Sequence, residues 1–336
     1  MPALDDHALA AHLAERAGRL LVELRARGGD PGALRNAGDR ESHEFLMAEL
    51  ARSRPGDAVL SEEGIDDKAR LSADRVWIVD PLDGTREFGE PGRTDWAVHV
   101  ALWARNAPPS AGQWSATRAT SAISGESPVT QAASAISGEW PAGRPASALS
   151  GEWPGTRTAA AEAGDLIAGA VALPAQECVL STATPMTFPA DERAERPDRW
   201  GYFRRPSEGA PAEIPPGPGA QRPLRMVVSR SRASDLVKHV AALVQAELVP
   251  WGSAGAKVAT VITGENDVYL HSGGFYEWDT AAPAAVARAN GFHVSRIDGS
   301  PVVYNQEDPL LPDILVCRPA IAPVLLNAIR EATHAI

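Results

Sequence analysis

Apolar positions along the chain follow two rhythms. Leu9, Leu13, Leu20, Leu21 and Leu24 recur at three- and four-residue steps, which predicts a helix over residues 5–27. Gly28-Gly29 and Asp30-Pro31-Gly32 read as its end. A second helix is predicted over 39–52, with Phe45, Leu46 and Leu50 on its core face. After the turn Pro55-Gly56-Asp57, residues 58–61 read as a short strand leading into Glu62-Glu63-Gly64. Residues 75–79 read as a buried strand that stops at Asp80-Pro81-Leu82-Asp83-Gly84-Thr85. Residues 95–103 and 166–173 read as partner strands. Farther on, strands are predicted at 225–229, 268–270 and 314–317. Helices are predicted at 234–245, 252–262 and 280–290, the last closed by Gly291. Such alternation implies helices layered on sheets, an α/β (α+β) class.

Residues 108–159 break both rhythms. They divide into four 13-residue units, PPSAGQWSATRAT, SAISGESPVTQAA, SAISGEWPAGRPA and SALSGEWPGTRTA. Gly112, Gly125, Gly138 and Gly151 share one place in the unit, and Trp114, Trp140 and Trp153 another, with Ser127 in the second unit. Solenoid units are longer and carry regular apolar positions. These are built of Ser, Ala, Gly, Pro, Thr and Trp, so they read as a loosely ordered expansion of a hairpin loop. An ordered flap of stacked Trp and Arg is the alternative. A Pro/Gly-rich stretch at 190–223 reads as a linker. The expected organisation is therefore an N-terminal α+β half (1–189) holding the insert, the linker, and a C-terminal α/β half (224–336).

Composition narrows the function. With 336 residues, 44% of them hydrophobic, the chain can bury a sizeable core. A formal net charge of −11 without a block of Lys or Arg argues against nucleic-acid grooves and anionic membranes. A small anionic substrate remains open, because bound divalent cations reverse the local field. Cys178 and Cys317 are too few for a disulfide scaffold or a thiolate zinc site. The N-terminus has neither a basic n-region nor a continuous apolar run, so a cytoplasmic location is the expectation.

The main chemical signal is Asp80-Pro81-Leu82-Asp83-Gly84-Thr85 at a strand end. The Pro fixes its own φ and Gly84 lets the chain turn, so two carboxylates three apart can converge. Mg²⁺ takes carboxylate and carbonyl oxygens, which Asp80, the Leu82 carbonyl and Asp83 could supply. The same string is also an ordinary turn. Glu62-Glu63 ends the preceding strand, and Trp278-Asp279 opens a helix far downstream, where Asp279 also suits a plain N-cap. The histidines show no paired ligand spacing, which removes a zinc hydrolase. His99 reads as a satisfied sheet residue.

Glu62-Glu63, Asp80-Pro81-Leu82-Asp83-Gly84-Thr85 and Trp278-Asp279, in this order, resemble the inositol monophosphatase superfamily of metal-dependent, lithium-sensitive phosphatases. Thr85-Arg86-Glu87-Phe88 resembles its branch of CysQ-type 3′(2′),5′-bisphosphate nucleotidases, as do 228–232 and 252–257. Ser61 replaces the Gly of the family's Gly-Glu-Glu signature, and Arg232 stands where related nucleotidases often have His. The resemblance implies a layered αβαβα fold of the sugar-phosphatase kind with the site between the halves. It implies Glu62, Asp80, the Leu82 carbonyl, Asp83 and Asp279 as ligands of two or three Mg²⁺ ions. Thr85 would orient the attacking water, Asp39 would pair with it, and Glu63 would support Glu62 from behind. Gly84 and Thr85 N–H groups would take phosphate oxygens. Asp83, Asp279, Ser229, Arg232, Gly255 and Lys257 would contact the substrate. The implied reaction converts 3′-phosphoadenosine 5′-phosphate and water to AMP and phosphate, with a homodimer left open. The rivals are an inositol monophosphatase or fructose-1,6-bisphosphatase specificity, and a non-catalytic phospholigand-binding scaffold working through the repeats.

Overall fold

The computed structural model describes residues 4–107, 164–183, 201–202, 223–231 and 233–335. The repeat and most of the expected linker lie outside the described residues. Helix α1 (Asp6–Ala26) follows the leucine rhythm, with Asp5 as N-cap. Helix α2 (Pro31–Ser53) begins earlier than expected, because Asp30 caps it and Pro31 takes its first turn. Asp39 therefore lies in mid-helix rather than at the start.

Both helices cover one face of a six-stranded sheet. Its order is β1 (Ala58–Ser61), β2 (Arg75–Asp83), β3 (Ala97–Ala104), β4 (Asp165–Leu173), β5 (Cys178–Ser181) and β6 (Gly201–Tyr202). β1 and β2 are parallel, and β2 through β5 antiparallel. β6 pairs with β5 inside the stretch read as linker, so that stretch contributes to the first sheet. A short helix α3 (Thr85–Gly89) follows β2.

The C-terminal part builds a five-stranded sheet from β7 (Arg225–Ser229), β8 (Glu247–Trp251), β9 (Val268–Tyr276), β10 (His293–Ser295) and β11 (Leu310–Cys317), in the order β10-β11-β9-β7-β8. Helices α5 (Ala254–Ile262) and α6 (Glu277–Ala289) lie between the sheets, while α4 (Asp235–Leu243) and α7 (Ala322–Ala335) cover the outer face of the second.

Side-chain alternation makes these layers. On β2, Val76 and Ile78 join the central core with α5 and α6, whereas Trp77 and Val79 pack with α1 and α2. On β11, Ile314 and Val316 face that same central core, and Leu315 and Cys317 face α4 and α7. The result is the αβαβα stack. The middle layer is thin because α6 presents Ala281, Ala282, Ala284, Ala285 and Ala287, all buried. A Cβ on Gly169 of β4 would stand 2.8 Å from the Ala285 methyl, so that contact requires glycine. Among the described residues no helix is long and apolar enough to cross a membrane.

Candidate active site

Strand β2 does not stop at Asp80 but runs on to Asp83, with a bulge against β3 between the two. Bulges re-aim side chains at sheet ends, and here both carboxylates enter one cleft of about 370 Å³. Parallel pairing of Ser61 with Val79, continued by the Glu62 N–H on the Val79 carbonyl, brings Glu62 beside Asp80. Asp279 arrives from α6. It is not the N-cap expected for it but the third residue of the helix, and its carboxylate accepts the Tyr276 N–H at 2.6 Å.

Helix α2 closes on the loop through Gly38, where a Cβ would meet Leu82 and Phe88 at 2.8 Å. Ser42 Oγ donates to the Pro81 carbonyl at 2.7 Å. That approach sets Asp39 beside Thr85, whose hydroxyl lies 3.1 Å from both Asp39 Oδ1 and the Leu82 carbonyl. Gly84 takes φ +86, and a Cβ there would press on Asp95, Trp96 and Ser253.

Glu62, Asp80, Leu82, Asp83, Gly84, Thr85, Ser229, Lys257 and Asp279 all line the cleft. Asp39 reaches it through Thr85. Arg232 lies outside the described residues. Gly255, expected as a substrate contact, instead gives its N–H to Asp83 Oδ2 at 2.9 Å. Lys257 is buried, its ammonium on the Gly252 carbonyl and 5.4 Å from the Tyr269 ring centroid.

Three supporting roles are not legible in the sequence, where His99 reads as a satisfied sheet residue and Ser253 only as part of the 252–257 segment. Ser253 Oγ donates to Asp83 Oδ2 while capping α5. Asp95 accepts the Gly252 N–H on its carboxylate and the Ser253 N–H on its carbonyl, which seats that cap. His99, fully buried, is only half satisfied: Nδ1 sits 3.1 Å from the Trp278 carbonyl, while Nε2 has no hydrogen-bond partner and lies 3.2 Å from Asp83 Oδ2. Each of these links joins residues more than 150 apart or hangs on one that does, so no local signal announces it.

The electrostatics ask for a cation. Burial, then the charges of Glu62, Asp83 and Asp279, hold Asp80 well above the usual carboxylate range. Desolvation of its carboxyl, then the charge of Asp279, pushes Glu62 to about 7, although part of the residue is open to water along the cleft. Each of Glu62 and Asp80 lies in the other's field, so each bears on the other's proton affinity. Burial also lifts Asp39 to about 6, against the lowering effect of Thr85. Ligand atoms of Asp80, Asp83 and His99 lie within 4.8 Å of one another. A divalent cation fits this donor set, because its charge offsets like charges that otherwise repel.

The inositol monophosphatase family model matches residues 10–113 and 158–334, and the gap falls inside the tandem repeat. A 3′-phosphoadenosine 5′-phosphate phosphatase of Mycobacterium bovis is 41% identical over 318 residues, 94% of this chain and 90% of its own length. Its namesake in Mycobacterium leprae is 41% identical over 330 residues, 98% and 94% of the two chains. CysQ from Bacteroides thetaiotaomicron superposes with a TM-score of 0.57 at 23% identity, over 93% of this chain and 96% of its own. Inositol monophosphatase-II from Staphylococcus aureus does so with a TM-score of 0.61 at 16% identity, over 97% and 96%. At these identities the solved structures establish the fold.

Proposed function

The chain belongs to the inositol monophosphatase family, and from that premise we propose that it is a Mg²⁺-dependent phosphomonoesterase that hydrolyses 3′-phosphoadenosine 5′-phosphate to AMP and phosphate. The observation that carries the reading is the convergence of Glu62, Asp80, Asp83 and Asp279 from three separate elements on one cleft, with the Thr85–Asp39 pair beside them. The full-length similarity to the mycobacterial phosphatases supports the substrate.

In this reading the four carboxylates and the Leu82 carbonyl would hold the metal. When bound, Mg²⁺ supplies positive charge that offsets the acidic cluster and the negative charge growing on the phosphoryl group. The remaining work falls to the chain. Thr85 gives its one hydroxyl proton to Asp39, so its oxygen lone pairs are free to accept from a water and hold it in line with phosphorus. Asp39 must be ionised for that polarity. The N–H groups of Gly84 and Thr85 would take phosphoryl oxygens. Ser229, Lys257 and Arg232 would meet the rest of the nucleotide. Ser253, Gly255 and His99 keep Asp83 from rotating: their contacts fall on Oδ2, which leaves Oδ1 for the cation among the described residues.

The test is phosphate release from 3′-phosphoadenosine 5′-phosphate, inositol 1-phosphate and fructose 1,6-bisphosphate, each with and without Mg²⁺. Preference for the nucleotide, abolished by chelation, is the expected result. Equal turnover of all three, or turnover without a divalent cation, would refute it.

A further inference from the structure

Two of the converging carboxylates are not held by the strand that carries Asp80 and Asp83. Glu62 belongs to the loop after β1, and Asp279 to the first turn of α6, and both line the same cleft. Like charges drift apart unless the scaffold restrains them, and the restraint here is a third segment, residues 304–309.

On the loop side, Arg70 is 1% exposed and its guanidinium is almost fully engaged. Nε and Nη2 donate to the two Asp66 oxygens at 2.7 and 3.1 Å, Nη1 to Asn305 Oδ1 at 2.7 Å, and Nη2 to the Gln306 carbonyl at 2.8 Å. Lys68 adds a bond to the Glu307 carbonyl. On the helix side, Glu277 has no exposed surface. Its two oxygens accept the successive N–H groups of Asn305 and Gln306, each at 2.7 Å, and its own N–H donates to the Pro309 carbonyl at 2.9 Å. Asn305 has φ +59, the left-handed turn that points two consecutive N–H groups at one anion. The segment thus grips the Glu62 loop with one hand and the start of α6 with the other.

We propose that Arg70, Asn305 and Glu277 form a positioning clamp that sets the Glu62 loop against the start of α6, so that Glu62 and Asp279 are held in place for the metal site. None of the three lines the cleft. Burying an arginine and a glutamate is a poor way to gain stability, since apolar replacements of similar volume often match it, whereas directional bonds fix geometry. The clamp rests on the metal-dependent reading above, and Glu62 and Asp279 are its objects.

The experiment is calorimetric titration of the full chain with Mg²⁺ in the absence of substrate, beside turnover as a function of Mg²⁺. Asn305→Gly keeps the left-handed turn and both N–H groups but drops the link to Arg70. Glu277→Gln removes one of the two paired acceptors. Each should raise the Mg²⁺ Kd about tenfold or more, as removing support behind metal ligands generally does. Turnover at saturating Mg²⁺ should stay within about threefold, because the ligands themselves are intact. Asn305→Asp, which still accepts from Arg70, should keep the wild-type Kd. If Glu277→Gln does not fold, Asn305→Gly decides. A folded Asn305→Gly chain with lowered Tm and unchanged Kd would overturn the clamp and leave a purely structural network. A wild-type chain that turns over substrate without taking up Mg²⁺ would instead overturn the functional reading, and the clamp with it.

Discussion

Gly255→Ala is the smallest change that should disable the site without touching a carboxylate. The new methyl would stand 2.1 Å from His99 Nε2 and 2.9 Å from Val171 Cγ1. Ordinary contact begins near 3.4 Å, so the first gap is short by 1.3 Å (2.1 against 3.4 Å). His99 has nowhere to retreat: it is fully buried, and its other nitrogen is held by the Trp278 carbonyl. The start of α5 must therefore back away by about 1 Å. The Gly255 N–H then leaves Asp83 Oδ2, taking Ser253 with it. Misplacing a reacting group by about 1 Å costs on the order of a hundredfold in rate, or about 2.7 kcal/mol. The overpacking itself should cost about 1–3 kcal/mol of stability.

The assay is kcat for phosphate release at saturating Mg²⁺, with thermal unfolding to show that the variant is folded. Relieving the crowding with His99→Ala in the Gly255→Ala background should recover much of the loss, a coupling that independent sites do not show. Wild-type turnover in folded Gly255→Ala would refute the claim that the α5 start fixes Asp83. A double variant no better than the single would refute the steric cause.

Asp83→Asn should lower turnover about a hundredfold or more even at saturating Mg²⁺, because the cation loses a charge it is held by; the check is steady-state kinetics across Mg²⁺ concentrations. Because Glu62 must release a proton to bind a cation and sits at about 7, Mg²⁺ affinity should fall about tenfold per pH unit below that value, read by calorimetry. Its raised folded-state value means the folded chain keeps a proton that the unfolded chain has lost, so without metal the Tm should fall as pH climbs from about 4.5 to about 7. Replacing residues 108–159 with a short Gly/Asn turn should preserve folding and metal dependence, because Ala104 and Asp165 on either side are paired neighbours and loop closure changes by only about 1–2 kcal/mol; a tenfold loss of turnover in the folded deletion would assign the repeat a role at the cleft.

How far the fold can be read from the chain depends on how local its signals are. The leucine spacing of α1 and the five apolar-rich residues of β7 match the structure almost residue for residue. Asp30-Pro31-Gly32 is ambiguous, because the same residues that stop one helix cap the next, and α2 is longer than its apolar face suggests. Helix α7, Ala322–Ala335, has a clear apolar face that the sequence reading passes over. β8 and β10 sit at the two edges of their sheet, and Pro250 weakens the signal of β8 further. Linear order cannot show that β6 returns to the first sheet across residues 184–200.

The site divides along the same line, for a physical reason. Carboxylates at strand ends and a Gly-Thr turn are visible because their chemistry is encoded within six residues. What makes the cluster tolerable is encoded elsewhere. Four acids gathered in one cleft repel one another and would also repel a phosphate. The thin middle layer answers this by aiming the starts of both α5 and α6 at the carboxylate end of β2: Gly255 N–H and Ser253 reach Asp83 from one, Asp279 and the His99-bound Trp278 carbonyl from the other. Helix N-termini carry partial positive charge, so each lowers the cost of holding anions there before any cation arrives. Only small side chains let two helices lie between the sheets and reach that point together, as the alanines of α6 and the glycine at 169 do. In a linear reading those residues look like filler, yet the packing they permit is what lets acids scattered over more than 200 positions act as one site.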